Sequence, residues 1–432
     1  MKRRRSQNNQ RSSPSRRWHI PPPLIHGPET LEGGGVLQDW GNELGVVLWQ
    51  AFRDVMLWAT TPAENRDSIF SDPPEDVRRI RVEPVLGLYA DPRLLSSLET
   101  LRQIAEQPAG TREEDVARAC RALSEWADDQ GKLATALAFA QNAALASGGD
   151  AAAAFWVATI AVRLNDHARA EVWFRRAIGL ARQSRNWRMY SRAFGGLGNL
   201  YIRRGNLPAA RRLHTRALRG AKRGGMRREQ AAALHDLFAV AVESGSGAEA
   251  ERLARLALES YGTRNRRVHV LAHDVAYYWM EQGSFDRALP VFQAVLPLIE
   301  RPIERLFVLA DIARAAGGVG DVETASDTAT QVWLLASEPD LEHGAGRALL
   351  EVARGYLSLS DTKKAAEAAQ HALTSAAEYR ESKVRFAAEA LLESIGSTPA
   401  PTPPSLAPSD EVGDQLAADF VRTLQTIAGA AD

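Results

Sequence analysis

The sequence of 432 residues has one cysteine, Cys120, and no net formal charge. A single cysteine excludes an internal disulfide framework and a zinc or iron–sulfur site built from several cysteines. The charge is balanced because 53 Lys and Arg residues face 53 Asp and Glu residues. Apolar residues make up 45% and charged residues 25%, as in an average soluble globular protein. The composition therefore excludes a fully disordered or collagen-like chain.

The sequence also lacks a secretory signal, because no apolar segment follows the basic residues Lys2 to Arg5. The most apolar early segment runs from about Val36 to Ala59 and contains four charged residues. Charges in the middle of a span are costly in lipid, so this segment is predicted to be a packed helix and not a membrane span. We therefore expect a cytoplasmic protein.

Composition shifts along the chain predict five regions. The predicted regions are a disordered basic arm (1–35), a helical N-terminal region (36–110), a helical repeat domain (111–395), a Pro-rich linker (396–410) and a C-terminal helix (411–432). The arm cannot bury enough apolar surface to offset its ordering entropy. The C-terminal helix, about Glu411–Ala428, carries apolar residues every three to four positions, so it can dock on the body or on a partner.

A helix–turn–helix pattern recurs seven times from about residue 117. Each unit has a small or polar turn residue and, five residues later, an alanine at which two helices can approach closely. The spacings of the turn residues are 34, 40, 40, 38, 37 and 40. The turn residues are Gly131, Asn165, Gly205, Gly245, Gly283, Gly320 and Ser360. Because no unit can bury its apolar stripe alone, stacking of the units must create the core.

The third unit reads Phe194-x2-Leu197-Gly198-x2-Tyr201, followed by Ala210-x3-His214-x2-Ala217. This pattern resembles the tetratricopeptide repeat family, and the resemblance covers about residues 117–376. It implies an all-α fold, a right-handed α-solenoid of about seven helix pairs. The amphipathic pattern of Arg380–Ile395 predicts a C-terminal capping helix that shields the last repeat. Units near 40 residues are similar to those of bacterial repeat scaffolds and peptide-sensing regulators. The family supplies binding surfaces and not chemistry.

Motifs for catalysis are missing, so we expect a protein that is not an enzyme and needs no cofactor or metal. No Gly-rich phosphate loop is present. His269 and His273 have a spacing that can bind zinc, but the Glu of a metalloprotease motif and a third ligand are missing. Cys120 occupies an apolar position of the first repeat, which favours a buried structural thiol over a nucleophile.

The charges are strongly segregated along the chain. Residues 163–229 contain 18 Lys and Arg residues and three acids, and the first thirty residues contain seven basic residues and one acid. Two interpretations stay open. The basic block is either a solvated helix face or a binding surface for an acidic peptide, a phosphate or a nucleic acid.

The resemblance implies that the first helix of each pair lines a peptide-binding groove. The residues that it places there are Trp156, Arg163, Arg192, Asn199, Arg203, His235, Asp236, His273, Asp274, Tyr277, Asp311 and Arg314. The amide of Asn199 can bind a ligand backbone, and the arginines can bind ligand carboxylates. The arginines at 175, 176, 211, 212, 216 and 219 are placed on second helices, outside the groove.

These observations favour a cytoplasmic, non-catalytic scaffold that binds a protein or peptide. The part of this partner that contacts repeats two to four is expected to be acidic. A regulatory role is compatible with this interpretation. The alternative is a nucleic-acid-associated regulator that uses the basic arm and the arginine-rich repeats. Against this alternative, the sequence before residue 110 has no recognisable helix-turn-helix domain that could read DNA.

Overall fold

The computed structural model describes residues 33–41, 43–69, 91–396 and 411–429. The chain divides into two compact units, residues 1–226 and 227–432. Most of the predicted basic arm (1–35) and of the predicted Pro-rich linker (396–410) lies outside the described residues. The described residues are helical and include no strand, in agreement with the predicted all-α class.

Unit 1 contains nine α-helices within its described part. They are α1 (Gly34–Trp40), α2 (Glu43–Thr60), α3 (Pro92–Glu106), α4 (Glu113–Asp129), α5 (Leu133–Ala146), α6 (Ala151–Arg163), α7 (His167–Gln183), α8 (Trp187–Arg203) and α9 (Leu207–Arg223). A short 3-10 helix, Ala63–Ser68, follows α2. The pairs α4/α5, α6/α7 and α8/α9 are the first three predicted repeats.

Unit 2 contains ten α-helices within its described part. They are α10 (Arg227–Glu243), α11 (Gly247–Tyr261), α12 (Val268–Glu281), α13 (Phe285–Val295), α14 (Pro302–Val319), α15 (Val322–Ala336), α16 (Glu342–Ser358), α17 (Thr362–Glu378), α18 (Ser382–Gly396) and α19 (Glu411–Ala428). A 3-10 turn at Leu296–Leu298 extends α13. Helices α10 to α17 form the remaining four pairs, so the prediction of repeated helix pairs is confirmed.

All seven predicted turn residues have a left-handed backbone, with φ between 58° and 82°. This conformation ends the first helix of each pair and is the reason that glycine occupies five of the seven positions. At several turns the next residue caps the second helix. Asp166, Asn206 and Asp361, for example, each accept a hydrogen bond from the backbone N–H three residues later.

Small residues form the contacts between paired helices, as the repeat predicts. The alanine five residues after each turn is at most 2% exposed; these residues are Ala136, Ala170, Ala210, Ala250, Ala288, Ala325 and Ala365. In unit 2 the first helices α14 and α16 also approach closely. A Cβ atom at Gly317 would lie 2.3 Å from the carbonyl oxygen of Gly355, so only glycine fits there.

The N-terminal helices pack onto the repeats of unit 1. The ring of Trp40 stacks on Trp126 of α4, with centroids 4.9 Å apart and planes 10° apart. One oxygen of Asp39 accepts hydrogen bonds from the Thr135 backbone N–H (2.7 Å) and hydroxyl (2.8 Å) in the first turn of α5. A carboxylate is favourable at that position because the N-terminal N–H groups of α5 carry partial positive charge.

The last two helices lie at different places in unit 2. Helix α18 packs on α17, as predicted for a capping helix, and leaves Phe386 60% exposed. Helix α19 has the predicted limits and docks on α11, α12 and α13. Its Phe420 ring contacts Trp279, and its Asp414 accepts a 2.6 Å hydrogen bond from the buried Arg287. The amphipathic pattern of α19 is therefore used within the chain.

Candidate functional site

The first helices of unit 1, α4, α6 and α8, form one continuous face, here called the first-helix face of unit 1. Direct contacts join them in series. The indole N–H of Trp156 on α6 donates to the Ser124 hydroxyl on α4 at 2.8 Å. Arg192 on α8 lies over the Phe155 ring on α6, 4.8 Å from its centroid. The repeat therefore brings together residues that are 32 to 37 positions apart in the sequence.

Three of the predicted groove residues form a line along α8. Arg192, Asn199 and Arg203 are separated by seven and four residues, a spacing that places them on one side of a helix. All three are exposed. Within the described part of the chain, no hydrogen bond or ion pair involves the side chains of Asn199 and Arg203. An incoming ligand can therefore use the amide of Asn199 and the guanidinium of Arg203.

Two other predicted residues of this face have partners in the protein. Arg163 forms an ion pair with Asp128 of α4. Trp156 is partly buried and uses its N–H group on Ser124, whose hydroxyl in turn donates to the carbonyl of Ala136. Both residues contribute to the shape of the face, and their polar groups hold α4 and α6 in register.

The corresponding face of unit 2, formed by α10, α12, α14 and α16, has a chain of alternating histidines and aspartates. His235 on α10 lies 2.8 Å from Asp274 on α12 (Nε2 to Oδ2). His273, next to Asp274, lies 3.0 Å from Asp311 on α14 (Nε2 to Oδ2). The Asp311 side chain is 2% exposed, so its carboxylate serves His273 and is not open to a ligand.

The surroundings of His273 and Asp274 favour the ionised forms of these two side chains. Burial alone would lower the pKa of His273, but hydrogen bonds to Asp274 and Asp311 and their negative charges raise it to about 9. Burial disfavours the Asp274 carboxylate, yet its hydrogen bonds with His235 and His273 hold its pKa well below the usual range. Near neutral pH, His273 is therefore an imidazolium between two carboxylates.

A second ionic cluster continues along the same face. Arg314 on α14 contacts both Glu281 on α12 and Glu351 on α16, the latter at 2.8 Å. Glu351 also pairs with Arg354 at 2.8 Å. The charges of Glu351 and Glu281 raise the pKa of Arg314 against the opposing effect of burial. The two positive and two negative charges of this cluster therefore neutralise one another within the protein.

Sequence reasoning did not identify Glu281, Glu351 and Arg354 as members of this face. The repeat period could have found Glu351, because it lies 37 residues after Arg314 and 40 after Asp311. Of the predicted residues, Tyr277 and Asp236 are partly buried. Burial, together with the negative charges of Glu351, Glu281 and Asp311, raises the pKa of Tyr277. Its ring lies over His273, with centroids 6.5 Å apart.

The cysteine and histidine outside these faces that could react or bind a metal have contacts typical of structural residues. Cys120 is fully buried, and burial raises the pKa of its thiol, as expected for a structural residue. Nδ1 of His269 contacts the carbonyl of Arg266. Across the described residues, no three His, Cys, Asp or Glu side chains are arranged to hold a metal ion. No described helix is both long enough and apolar enough to cross a membrane.

Comparisons with known proteins connect this geometry to a family. Residues 150–223, which span α6 to α9, match the family model of the tetratricopeptide repeat. No curated protein sequence matches the chain. One similar solved structure is a signal transduction ATPase with numerous domains (STAND) from Pyrococcus horikoshii that has a tetratricopeptide repeat sensor. It is 12% identical, with a TM-score of 0.54 over 84% of this chain and 62% of that chain.

Two further solved structures have lower TM-scores. The Rap protein complexed with competence and sporulation factor is 13% identical, with a TM-score of 0.45 over 78% of this chain and 99% of that chain. The Cut9–Hcn1 hetero-tetramer of the APC/C is 12% identical, with a TM-score of 0.48 over 85% of this chain and 68% of that chain. At these identities, the likeness to the STAND protein concerns the fold alone, an array of helix pairs.

Proposed function

Because residues 150–223 match the model of the tetratricopeptide repeat family, we propose that the protein is a non-catalytic scaffold in which the first-helix face of unit 1 binds a segment of another protein. The observation that carries this proposal is the line of Arg192, Asn199 and Arg203 on α8. All three side chains are exposed on one side of the helix, and two of them have no polar partner among the described residues. Such groups bind ligands without first breaking internal contacts.

The chemistry of the line defines the ligand. An asparagine amide offers a donor and an acceptor, which matches the C=O and N–H groups of an extended backbone. A guanidinium binds a carboxylate through two parallel hydrogen bonds. We therefore propose an extended peptide segment with at least one Asp or Glu near Arg203. The other predicted residues of this face, Trp156 and Arg163, support the surface from their fixed positions on α6.

The face of unit 2 is proposed to contribute separately through its partly exposed groups. His235 is paired with Asp274, and Asp236 and Tyr277 are partly buried on the same face. Paired charges lose little solvation when a ligand covers them, because their hydrogen bonds are already made. This face would therefore bind a segment with mixed polar character. We further propose that the protein acts in the cytoplasm, and that ligand binding has a regulatory role.

The test is the selection of peptides from a random display library by the purified full-length protein. Selected peptides should be richer in Asp and Glu than the library. Their affinity for the double variant Asn199→Ala, Arg203→Glu should fall at least about tenfold, the cost of losing one charged hydrogen-bonded pair.

The matched control is Arg182→Glu, which makes the same charge change at an exposed position on α7, outside the line on α8. Affinity should be close to that of the unaltered protein in this control. The proposal fails if the double variant binds the selected peptides as well as the unaltered protein, or if the control weakens binding as much as the double variant.

A further inference from the structure

Helix α9 exposes four arginines on one side. Arg212, Arg216, Arg219 and Arg223 follow at intervals of four, three and four residues, and all four are exposed. At 100° per residue these positions fall within about 60° of one another, along a strip about 16 Å long. We call these four residues the arginine stripe. They lie on the second helix of their pair, so the stripe is separate from the line on α8.

The surrounding sequence supplies no acid to the arginine stripe. Residues 172–228 contain 16 Lys and Arg residues and no Asp or Glu. Within the described part of the protein, none of the four arginines has a carboxylate partner. Elsewhere in unit 1 arginines do have such partners: Arg175 and Arg204, for example, share the carboxylate of Glu171. The stripe is therefore a concentration of positive charge that the fold does not neutralise.

Two of the four arginines lie over aromatic rings of α8. The guanidinium of Arg223 lies 4.5 Å from the Trp187 ring centroid, and that of Arg216 lies 5.8 Å from the Phe194 centroid. A cation over a ring face is attracted by the ring and keeps its N–H donors available at the edge. These contacts lower the entropy that the arginines would lose when they bind an anion.

The arrangement is unfavourable without a ligand. Like charges at i,i+3 or i,i+4 repel one another and destabilise a helix, and the stripe contains three such pairs. A linear polyanion along the helix would replace these repulsions with attraction. No large apolar side chain is exposed on α9, so the stripe lacks the apolar component with which amphipathic helices enter a lipid surface.

From these observations we propose that the arginine stripe binds the phosphodiester backbone of a nucleic acid, without reading its base sequence. The guanidinium groups would each contact phosphate oxygens, the contact that supplies most of non-specific binding. The residues involved differ from those of the proposed peptide-binding face. One activity can therefore be lost while the other remains.

The experiment measures the affinity of the full-length protein for a fluorescent 20-base-pair DNA duplex, and for an RNA duplex of the same sequence, between 50 and 200 mM salt. The stripe variant replaces all four arginines of the stripe with glutamine, which keeps helix propensity high. The control variant makes the same change at four arginines that pair with carboxylates on α3 and α4. These are Arg93→Gln, Arg102→Gln, Arg118→Gln and Arg121→Gln.

The logarithm of the binding constant should fall linearly with the logarithm of the salt concentration. On DNA, the slope of this line should be smaller in magnitude by about 3 to 4 for the stripe variant than for the unaltered protein. The control should keep the slope of the unaltered protein, and circular dichroism should show equal helix content in all three proteins. The residues of 1–32 are the same in every variant, so the difference in slope belongs to the stripe. The two duplexes distinguish DNA from RNA as the source of the phosphates.

Three results would overturn the proposal. The first is no binding of either duplex at 50 mM salt. The second is an equal loss of slope in the control variant. The third is binding of vesicles rich in anionic lipid as tight as binding of the duplexes, with the same dependence on the stripe, which would assign the surface to a membrane.

Discussion

Nε2 of His273 lies 3.0 Å from Oδ2 of Asp311, a carboxylate that the fold removes almost completely from solvent. The two residues are 38 positions apart, one repeat period, and belong to the successive first helices α12 and α14. A buried carboxylate needs a cationic partner, because an unpaired charge at this depth would be strongly destabilising. The repeat thus places an ion pair where a ligand-binding carboxylate was predicted from register alone.

This ion pair makes stability depend on pH. The pKa of His273 is about 9 in the folded protein and about 6.5 in an unfolded chain. Below pH 6.5 both states bind the proton and the stabilisation is complete. Between pH 6.5 and 9 the folded state binds more protons, so the free energy of unfolding falls as pH rises, by up to about 3 kcal/mol. Urea unfolding of the full chain at pH 6 and pH 9.5 measures this loss.

Two variants identify the group responsible. His273→Gln should remove most of the pH dependence in this window. His269→Gln, one turn earlier on the same helix, should retain it. Equal behaviour of the two variants would show that another group titrates.

The cap on α5 is expected to be important for unit 1. Asp39→Ala removes the carboxylate that accepts two hydrogen bonds from Thr135, 96 residues away. Loss of a helix cap costs about 1–2 kcal/mol. The free energy of unfolding, measured with urea, should fall by that amount. Gln38→Ala is the control, because Gln38 is an exposed neighbour on the same helix. A loss of similar size in Gln38→Ala would contradict a specific role for the cap.

The turn residues make a prediction with opposite signs at two positions. Ser360 has φ of 62° and Gly245 has φ of 69°. The left-handed conformation costs a residue with a side chain about 1 kcal/mol relative to glycine. Ser360→Gly should therefore raise the free energy of unfolding by about 1 kcal/mol, and Gly245→Ala should lower it similarly. Thermal unfolding of the two variants measures these changes. A change of both unfolding temperatures in the same direction would contradict the explanation.

The thiol of Cys120 should report on unfolding of unit 1. Because it is fully buried and burial raises its pKa, it should not react with a disulfide reagent in the native protein at pH 8. It should react rapidly in 6 M guanidinium. The control variant Ser96→Cys, at an exposed position, should react at once in the native state and so show that the reagent is active. Fast native labelling of the unaltered protein would show that α4 opens readily.

The repeat made much of the fold predictable. The turn residue and the alanine of each unit are only five positions apart, so this local spacing specifies each helix pair. All seven turn residues have the expected left-handed backbone. The limits of α19 were predictable for the same reason, since its apolar stripe is local. Its docking site was not, because Asp414 and Arg287 are 127 residues apart and outside the repeat period. The bond between Asp39 and Thr135 was hidden for the same reason.

The candidate site was less predictable than the fold. Register places His235, His273 and Asp311 on first helices, but it does not say whether a side chain faces solvent or a neighbour. Asp274 pairs with His235, and Arg314 pairs with two glutamates. In each case the neighbouring first helix carries the opposite charge at the same level along its axis. Charge complementarity between successive repeats was readable from the sequence. The burial that makes these pairs exclusive depends on packing.

The docking of α19 on α12 and α13 has a consequence during synthesis of the chain on the ribosome. Trp279 and Arg287 are buried in the finished protein, and Asp414 and Phe420 contribute to their environment. During synthesis α12 and α13 leave the ribosome more than a hundred residues before α19. At the usual translation rate of about 5–20 residues per second, the Trp279 ring and the Arg287 guanidinium lack their α19 partners for several seconds. Through that interval, this part of unit 2 is a surface on which a chaperone or another nascent chain could act.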